Sequence, residues 1–428
     1  MRFRPCSLLP KRQALLRPSL FSPRHLSTLA IETSCDDTGV AILHRNDLTN
    51  EHRLLFNERI SSDHLAFAGV HPVEAAKGHT RALAPLLRKS LACLPDGATK
   101  PDFVSVTRGP GIVTNLATGL NTAKGLCAAW DVPMVGVHHM QAHALTPKLA
   151  RAIRAPMPVD EGGSLDGPFL SLLVSGGHTQ LVHSRSLVDH EILASTLDTA
   201  VGNMLDQVAR VVLPADVLRS ATDVMYGRLL EAFAFPDGGT EEEYAFFQAR
   251  SKRGGEAMVL QKEGYDWAFK IPLSHTRKLE FSFSGLGTNA KKIMDRVGDM
   301  DVEQRKVLAR YVMAAAFRHI ADRLVLALSD VHGLQACPTL VLAGGVACNR
   351  FLLHVVRSTL RARGLVGLKI VVPPVGLCTD NAAMIAWAGM EMFERGWTTD
   401  LDVLMIRKWP LDERIDGGIM GAQGWVKN

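Results

Sequence analysis

Two histidines four residues apart, in Val135-Gly136-Val137-His138-His139-Met140-Gln141-Ala142-His143-Ala144-Leu145, have the types and spacing for metal chemistry. On a helix His139 and His143 share one face and can grip one ion, while His138 points elsewhere. Zinc proteases use the same spacing, with a glutamate after the first histidine as general base. Met140 stands there in this chain, so a protease lacks its base. The plainer alternative is two polar histidines on a helix face. A third ligand is available in Cys378-Thr379-Asp380-Asn381-Ala382-Ala383-Met384-Ile385-Ala386. Asp380 either completes a metal site or, like Thr379, caps the helix that follows.

Turns supply a second kind of chemistry. Leu173-Val174-Ser175-Gly176-Gly177-His178-Thr179-Gln180-Leu181-Val182 reads as strand, glycine turn, strand. Backbone N–H groups at such a turn can close on a phosphate or another anion. Ala30-Ile31-Glu32-Thr33-Ser34-Cys35-Asp36-Asp37-Thr38-Gly39-Val40-Ala41-Ile42-Leu43 repeats the pattern with a polar turn. Asp36 and Asp37 could hold a metal-bound water or orient a substrate amine, although aspartate also favours turns for its own sake. Leu340-Val341-Leu342-Ala343-Gly344-Gly345-Val346-Ala347-Cys348-Asn349-Arg350 is a strand feeding a glycine turn and a helix. Three such turns at wide spacing point to a duplicated fold with a cleft between its lobes. Asp206, on a helix after Ser195-Thr196-Leu197-Asp198, is either a buried acid facing a ligand hydroxyl or a surface acid. His79 either faces the cleft or is structural. Arg350, Arg357 and Arg361 lie close to one helix face and either meet RNA phosphates or are solvated.

The elements that must position these residues alternate between strand and helix. Phe103-Val104-Ser105-Val106-Thr107 is a short buried strand ending at Arg108-Gly109-Pro110-Gly111, which opens a helix to about Ala129. Residues 303–331 form a long amphipathic helix with Val307, Leu308, Val312, Ala315, Ile320 and Leu324 on its buried side. Residues 213–265 read as an irregular insertion, with an acidic run at Glu241-Glu242-Glu243 and a basic patch at Arg250, Lys252 and Arg253.

At 428 residues the chain can hold two domains with full cores, and the alternation argues for α/β. Seven scattered cysteines without a CxxC pair give neither a disulfide framework nor a thiolate zinc site, which fits a reducing compartment. Arg2, Arg4, Lys11, Arg12, Arg17 and Arg24, with serines and no acid before Glu32, make a mitochondrial presequence over 1–28, not a secretory signal. Removing six positive charges from +5 leaves about −1, so the overall charge is no argument for nucleic-acid binding. No apolar run is long and plain enough to span a bilayer, so no membrane insertion is expected.

Taken together, these motifs resemble the tRNA N6-adenosine threonylcarbamoyltransferase family of the bacterial and mitochondrial type. The matching stretches are residues 31–39, 138–143, 173–181, 281–286, 343–350 and 378–386, in the family's order. Any one is weak; together they are specific. The resemblance implies the actin-like, sugar-kinase-like ATPase fold, with two duplicated lobes around a nucleotide cleft. Residues 29–150, completed by 375–428, would form the first lobe, and 166–374, with the insertion, the second. It implies that His139, His143 and Asp380 bind one divalent metal ion, zinc or iron. Leu173, Val174, Ser175, Gly176, Gly177, Asp206, Gly227 and Asn349 would line the threonylcarbamoyl-adenylate site. The amine of the adenosine beside the anticodon of a mitochondrial tRNA would attack the carbamoyl carbon and release AMP; independently of the resemblance, Asp36 or Asp37 is expected to take the amine proton. The adenylate would come from a separate synthase, the enzyme would be a homodimer, and its compartment the mitochondrial matrix.

The chain departs from the family's pattern at Gly227, where a Pro-Gly-Gly-Pro run is not intact, at Gly287, where lysine is frequent, and at Gln141 and Asn203, where glutamate is usual. Both lost glutamates are expected near the cleft. Two other readings compete: a metal-dependent ATPase of the same fold, which would hold Mg²⁺ on carboxylates and phosphates without a histidine pair, and a non-catalytic assembly subunit, which would be expected to lose the metal triad.

Overall fold

The structure, a computed structural model, describes residues 25–67, 69–95, 97–251 and 258–428. The presequence expectation falls largely on residues 1–24, outside the described residues. Residues 25–28 already belong to the first strand.

Sixteen strands are seen among the described residues: β1 (His25–Glu32), β2 (Asp37–Asn46), β3 (Glu51–Ser61), β4 (Phe103–Gly109), β5 (Met134–His138), β6 (Val159–Asp160), β7 (Phe169–Val174), β8 (Thr179–Ser184), β9 (His190–Thr196), β10 (Val259–Gln261), β11 (Ala268–Lys270), β12 (Glu280–Phe281), β13 (Thr339–Ala343), β14 (Lys369–Val372), β15 (Trp397–Thr399) and β16 (Trp425–Lys427). One seven-stranded sheet runs β16-β15-β5-β4-β1-β2-β3, and another runs β12-β9-β8-β7-β13-β14-β6.

Within each sheet the same five-strand order recurs. β3-β2-β1 is an antiparallel meander continued by parallel β4 and β5. β9-β8-β7 is a second meander continued by parallel β13 and β14. Helical crossovers make the parallel connections, as such connections require. This is the duplicated actin-like ATPase fold. β4, β7 and β13 are buried along their whole length, apolar for the most part but with Ser105, Thr107, Arg108, Ser171 and Thr339 buried among them. β3, at a sheet edge, is largely exposed and carries Glu51, Arg53, Glu58 and Arg59, charges that guard an open edge.

One apolar cluster joins the two sheets. It includes Ala30, Val135 and Val137 of the first, Leu173, Val341 and Ala343 of the second, and residues of the helices His139–Ala152 and Ala382–Glu394. The metal candidates stand at the beginnings of these two helices.

Two expectations need correction. The helix Val302–Asp330 is buried almost all round from Leu308 to Leu328, with Val307 only half-buried, so it is a central helix and not an amphipathic surface one. Residues 213–251 and 258–265 are not irregular throughout, and Lys252 and Arg253 of the expected basic patch lie outside the described residues. The first of these stretches carries the helices Ala215–Arg219, Tyr226–Ala234 and Glu241–Tyr244. The acidic run is the first turn of the last of these, held by a reciprocal Thr240–Glu243 capping box. Among the described residues no helix is long and apolar enough to cross a membrane.

Candidate active site

β5 delivers the chain to the histidines. His138 ends the strand and caps the next helix, its Nδ1 accepting from the Gln141 amide at 3.3 Å and its Nε2 donating to the Trp409 carbonyl at 3.1 Å. Burial pushes its pKa down to about 3, so it is a neutral structural residue. His139 and His143 occupy the first turns of the helix, both buried, with ring centroids 4.7 Å apart and planes at 89°. Asp380 Oδ1 lies 3.0 Å from His143 Nε2 and 3.5 Å from His139 Nε2. Asp380 is not a cap: Asn381 caps the helix Ala382–Glu394, accepting from the Met384 amide at 3.0 Å.

One ligand atom from each of His139, His143 and Asp380 falls within 4.8 Å of the others. Two imidazoles and one carboxylate on a borderline-hard donor set fit a divalent ion such as zinc or iron. His143 Nδ1 is buried without a hydrogen-bond partner, so its ring is not locked by a protein contact on that side. Burial alone would raise the Asp380 carboxyl, but His139 and His143 outweigh it and hold it well below the usual range. Burial would lower His139, but Asp380 and Glu32 outweigh it and lift the imidazole to about 9.

Glu32, at the end of β1, is fully buried. Its carboxylate accepts from the Ser34 amide at 2.6 Å, from the Thr107 hydroxyl, and from His139 Nδ1 at 3.3 Å. Ser34 Oγ lies 3.2 Å from the same nitrogen. Nδ1 is thereby committed to the protein and Nε2 is turned toward Asp380, the carboxylate–histidine arrangement that orients metal ligands.

Asp37 is paired with Arg59 at 3.2 Å and accepts from the Ser61 hydroxyl. Burial nevertheless raises it to about 6. Arg59 also donates to Thr379 Oγ1 at 2.5 Å and to the Asp380 carbonyl at 3.3 Å, tying the first hairpin to the loop that carries the candidate ligand Asp380. Asp36 is half-buried in the same turn, its carbonyl accepting from the Ser62 amide. His79 does not face the cleft. Both ring nitrogens are used within the fold, against Thr38 Oγ1 at 2.8 Å and the Cys35 carbonyl at 3.0 Å, and they pin the turn.

In the second hairpin Leu173 and Val174 are buried strand residues that set the turn in place. Ser175 Oγ accepts from the Gly177 and His178 amides, and Gly176 and Gly177 are exposed. Burial, helped by the nearby His139 and His143, brings His178 down to about 4. The helix Val201–Val212 begins directly against this turn. A Cβ on Gly202 would lie 2.6 Å from the Ser175 carbonyl oxygen and 2.8 Å from the Gly176 nitrogen. Gly344, at φ 95°, fits the third turn against the second; a Cβ there would come within 2.4 Å of the Val174 oxygen. Asp206 accepts from the Gly227 amide at 2.7 Å, which brings two of the expected substrate residues together, and burial raises it to about 6. Asn349 caps the helix Arg350–Ala362 through the Leu352 amide.

The family model described as tRNA N6-adenosine threonylcarbamoyltransferase matches residues 53–387. The chain belongs to that family. It is 36% identical to the mitochondrial tRNA N6-adenosine threonylcarbamoyltransferase of Schizosaccharomyces pombe, over 95% of this chain and 91% of the relative. It is 33% identical to the Brucella abortus (strain S19) tRNA N6-adenosine threonylcarbamoyltransferase, over 91% and 96%. Among solved structures, full-length HypF in its phosphate- and nucleotide-bound form aligns with a TM-score of 0.46 and 12% identity, covering 86% of this chain and 46% of that one, a likeness too weak to carry an argument.

For a member of the threonylcarbamoyltransferase family, the two glutamate departures fall in different places. Gln141 is buried and donates to the Leu187 carbonyl at 2.8 Å, a bond that an ionised glutamate could not make. Its lost charge is therefore not on the cleft, contrary to expectation. Asn203 is exposed on the helix that carries Asp206, its amide donating to Thr199 Oγ1 at 2.9 Å.

Sequence reasoning missed Glu32, although a lone acid closing an apolar strand is a signal, because a buried charge needs partners. Arg59 and Gly202 gave no local signal, since their contacts are long-range. Gly202→Ala is expected to push the Ser175 turn away from the helix. It should destabilise the fold by about 1–3 kcal/mol, and a lower Tm together with weaker adenylate binding would check this.

Proposed function

We propose that this protein transfers the threonylcarbamoyl group from threonylcarbamoyl-adenylate to N6 of the adenosine next to the anticodon of mitochondrial tRNAs that read codons starting with A. The observation that carries the reading is the convergence of an acidic turn, a glycine turn and a His-His-Asp cluster around Asp380.

N6 attacks the carbamoyl carbon, the carbon–oxygen bond to the phosphate breaks, and AMP leaves with the electron pair. The amine is a weak nucleophile, so holding both reactants in line supplies much of the rate. Gly176 presents its backbone amide to the adenylate phosphate, in a turn that Ser175 and Gly177 close by their own hydrogen bonds, and offsets charge on the leaving AMP. Asp206 accepts from a ribose hydroxyl, with Gly227 and Asn349 beside it, and Leu173 and Val174 carry the turn. The N6 proton passes to a carboxylate oxygen of Asp37 or Asp36; Asp37, at about 6, suits a base near neutrality. His139, His143 and Asp380 would hold one divalent ion, zinc or iron, which when bound can polarise a carbonyl or clamp a phosphate. A separate synthase supplies the adenylate and the enzyme works as a homodimer in the mitochondrial matrix; the mitochondrial name of the Schizosaccharomyces pombe relative supports the organelle.

The test mixes the purified, metal-loaded chain with unmodified tRNA, threonine, bicarbonate, ATP and an adenylate-forming synthase, then seeks threonylcarbamoyladenosine by mass after digestion. Product supports the reading. Its absence with folded protein favours a non-catalytic assembly subunit, and ATP hydrolysis without tRNA modification favours an ATPase.

Asp206 gives this reading a pH signature. Its carboxyl gains a proton as pH falls through about 6 and then no longer accepts as a carboxylate. The KM for the adenylate is expected to rise several-fold between about pH 7.5 and 5.5, since losing an acceptor in a charge-assisted bond weakens binding. Asp206→Asn should be weaker at pH 7.5 and flat across that range. For stability the sign is opposite to a salt-bridged aspartate. The folded value lies above the ordinary 3.8, so Asp206 favours the folded state less as pH rises through that window.

A further inference from the structure

Two of the arginines that follow the third turn are held by the protein: Arg350 donates to the Gly238 carbonyl at 2.9 Å and Arg357 pairs with Glu161 at 2.7 Å. Arg108, near the end of β4, is held differently. It is only 4% exposed, yet its guanidinium meets neutral partners. Nε donates to the Leu404 carbonyl at 2.9 Å, Nη1 donates to the Gln423 carbonyl at 2.7 Å, and the centre of the Trp409 ring lies 5.6 Å away. Among the described residues nothing accepts a hydrogen bond from Nη2, and no carboxylate pairs with the guanidinium. Burial lowers its pKa, and Asp402, too far for an ion pair, offsets this only in part. A buried cation of this kind is costly until an anion joins it.

Arg108 lines a cavity of about 490 Å³, a volume suited to a small molecule. Asp400 and Asp402 line it too, and among the described residues neither carboxylate has a cationic partner. Val403 and Met405 add apolar wall. This wall is fixed to the sheet. The Ile406 amide donates to the Arg108 carbonyl and the Asp400 amide to the Gly424 carbonyl, both at 2.9 Å. A Cβ on Gly109 would collide with the Ile406 carbonyl oxygen, and one on Gly424 with the Val403 side chain, so both glycines let the segment lie close. Charges of opposite sign thus border one cavity without meeting. A phosphate would match Arg108 and be repelled by the two carboxylates; a simple amine would do the reverse. A ligand that carries both charges matches both sides. We propose that the cavity binds an α-amino acid with an apolar side chain, its carboxylate on Arg108, its ammonium at Asp400 and Asp402, and its side chain along Val403 and Met405. This site is separate from the reaction cleft. Thr107, the preceding residue of β4, turns its hydroxyl to Glu32, and consecutive strand residues face opposite sides. The proposal does not rest on the transfer reaction.

The experiment titrates L-valine, L-leucine and L-methionine singly into the full chain by calorimetry and follows Tm in parallel. Saturable binding of at least one is expected, with Tm raised by about 1–3 °C at saturation. For leucine, isocaproate lacks the ammonium and isoamylamine lacks the carboxylate. Each leaves one charge of the cavity unmatched and should bind about tenfold more weakly or worse. Arg108→Met should abolish binding. That substitution also frees the Leu404 and Gln423 carbonyls and can cost folding, so Asp400→Asn/Asp402→Asn is the decisive variant. Both aspartates are exposed, so the fold should stand, and the amino acid should bind about 5–10-fold more weakly. No binding of any of the three overturns the proposal, as does wild-type affinity in the folded aspartate variant. Isocaproate binding as tightly as leucine overturns the amino-acid assignment in favour of a plain anion site.

Discussion

Asp380→Asn protein is expected to purify folded, to retain little divalent metal, and to make threonylcarbamoyladenosine about a thousandfold more slowly than wild type. The magnitude follows from a metal contribution of several kcal/mol, with each 1.36 kcal/mol worth about tenfold in rate. The substitution keeps shape while removing the negative charge that His139 and His143 share. His139→Ala should abolish activity to a similar degree, but it is the less clean experiment. It leaves the buried Glu32 carboxylate without its imidazole partner and Asp380 without one of two, so a drop in Tm is expected as well. Metal content by elemental analysis and single-turnover rates check both. A folded, metal-free Asp380→Asn enzyme with wild-type rate would sink the metal assignment.

Glu32→Gln should act on the metal without touching the ligands. A glutamine can still accept from the Ser34 amide through its oxygen, but its NH₂ then meets the Thr107 hydroxyl and His139 Nδ1 where a carboxylate oxygen had accepted. The imidazole loses the bond that fixes its tautomer and ring plane. Loss of such an outer partner typically weakens metal binding 10–100-fold. Chelator competition gives the affinity directly, independent of turnover; a wild-type affinity in a folded variant would refute the role. Stability should change with pH in a defined sense. His139 holds Glu32 below its ordinary range in spite of burial, so its contribution is present above the ordinary carboxylate pKa and is lost as pH falls through the folded value. The variant should lose that acid-side slope.

The histidine pair was legible because helical spacing is a local property; Asp380, 237 positions from His143, joined it only through the family's motifs. The three turns were legible for a related reason: each is written in consecutive residues. Asp206 and Gly227 could be named from the family's motifs, but their mutual hydrogen bond spans 21 positions and could not be read locally. The chain misled where one residue type serves two ends. His79 is a histidine near the cleft in sequence, yet both its nitrogens are spent on the first turn. Gln141 sits between two candidate metal ligands in sequence, yet it points into the core and meets the Leu187 carbonyl. The acidic run at Glu241 looked like an open loop because its helix is only four residues long, too short for periodicity to register. Arg59 was invisible because it lies on an exposed edge strand, where charge is ordinary.

The duplicated meander has one further consequence. The same hairpin was used twice, and its two turns have opposite electrical character: the first carries Asp36 and Asp37, the second two bare glycines. Both lie within reach of the Asp380 charge, one through Asp37 and the other through His178. Fold symmetry therefore does not extend to the field inside. A molecule with a proton to give at one end and an anionic group at the other has a single favourable heading between these poles, so the cleft sets the polarity of its cargo before any contact specific to adenine or threonine is made.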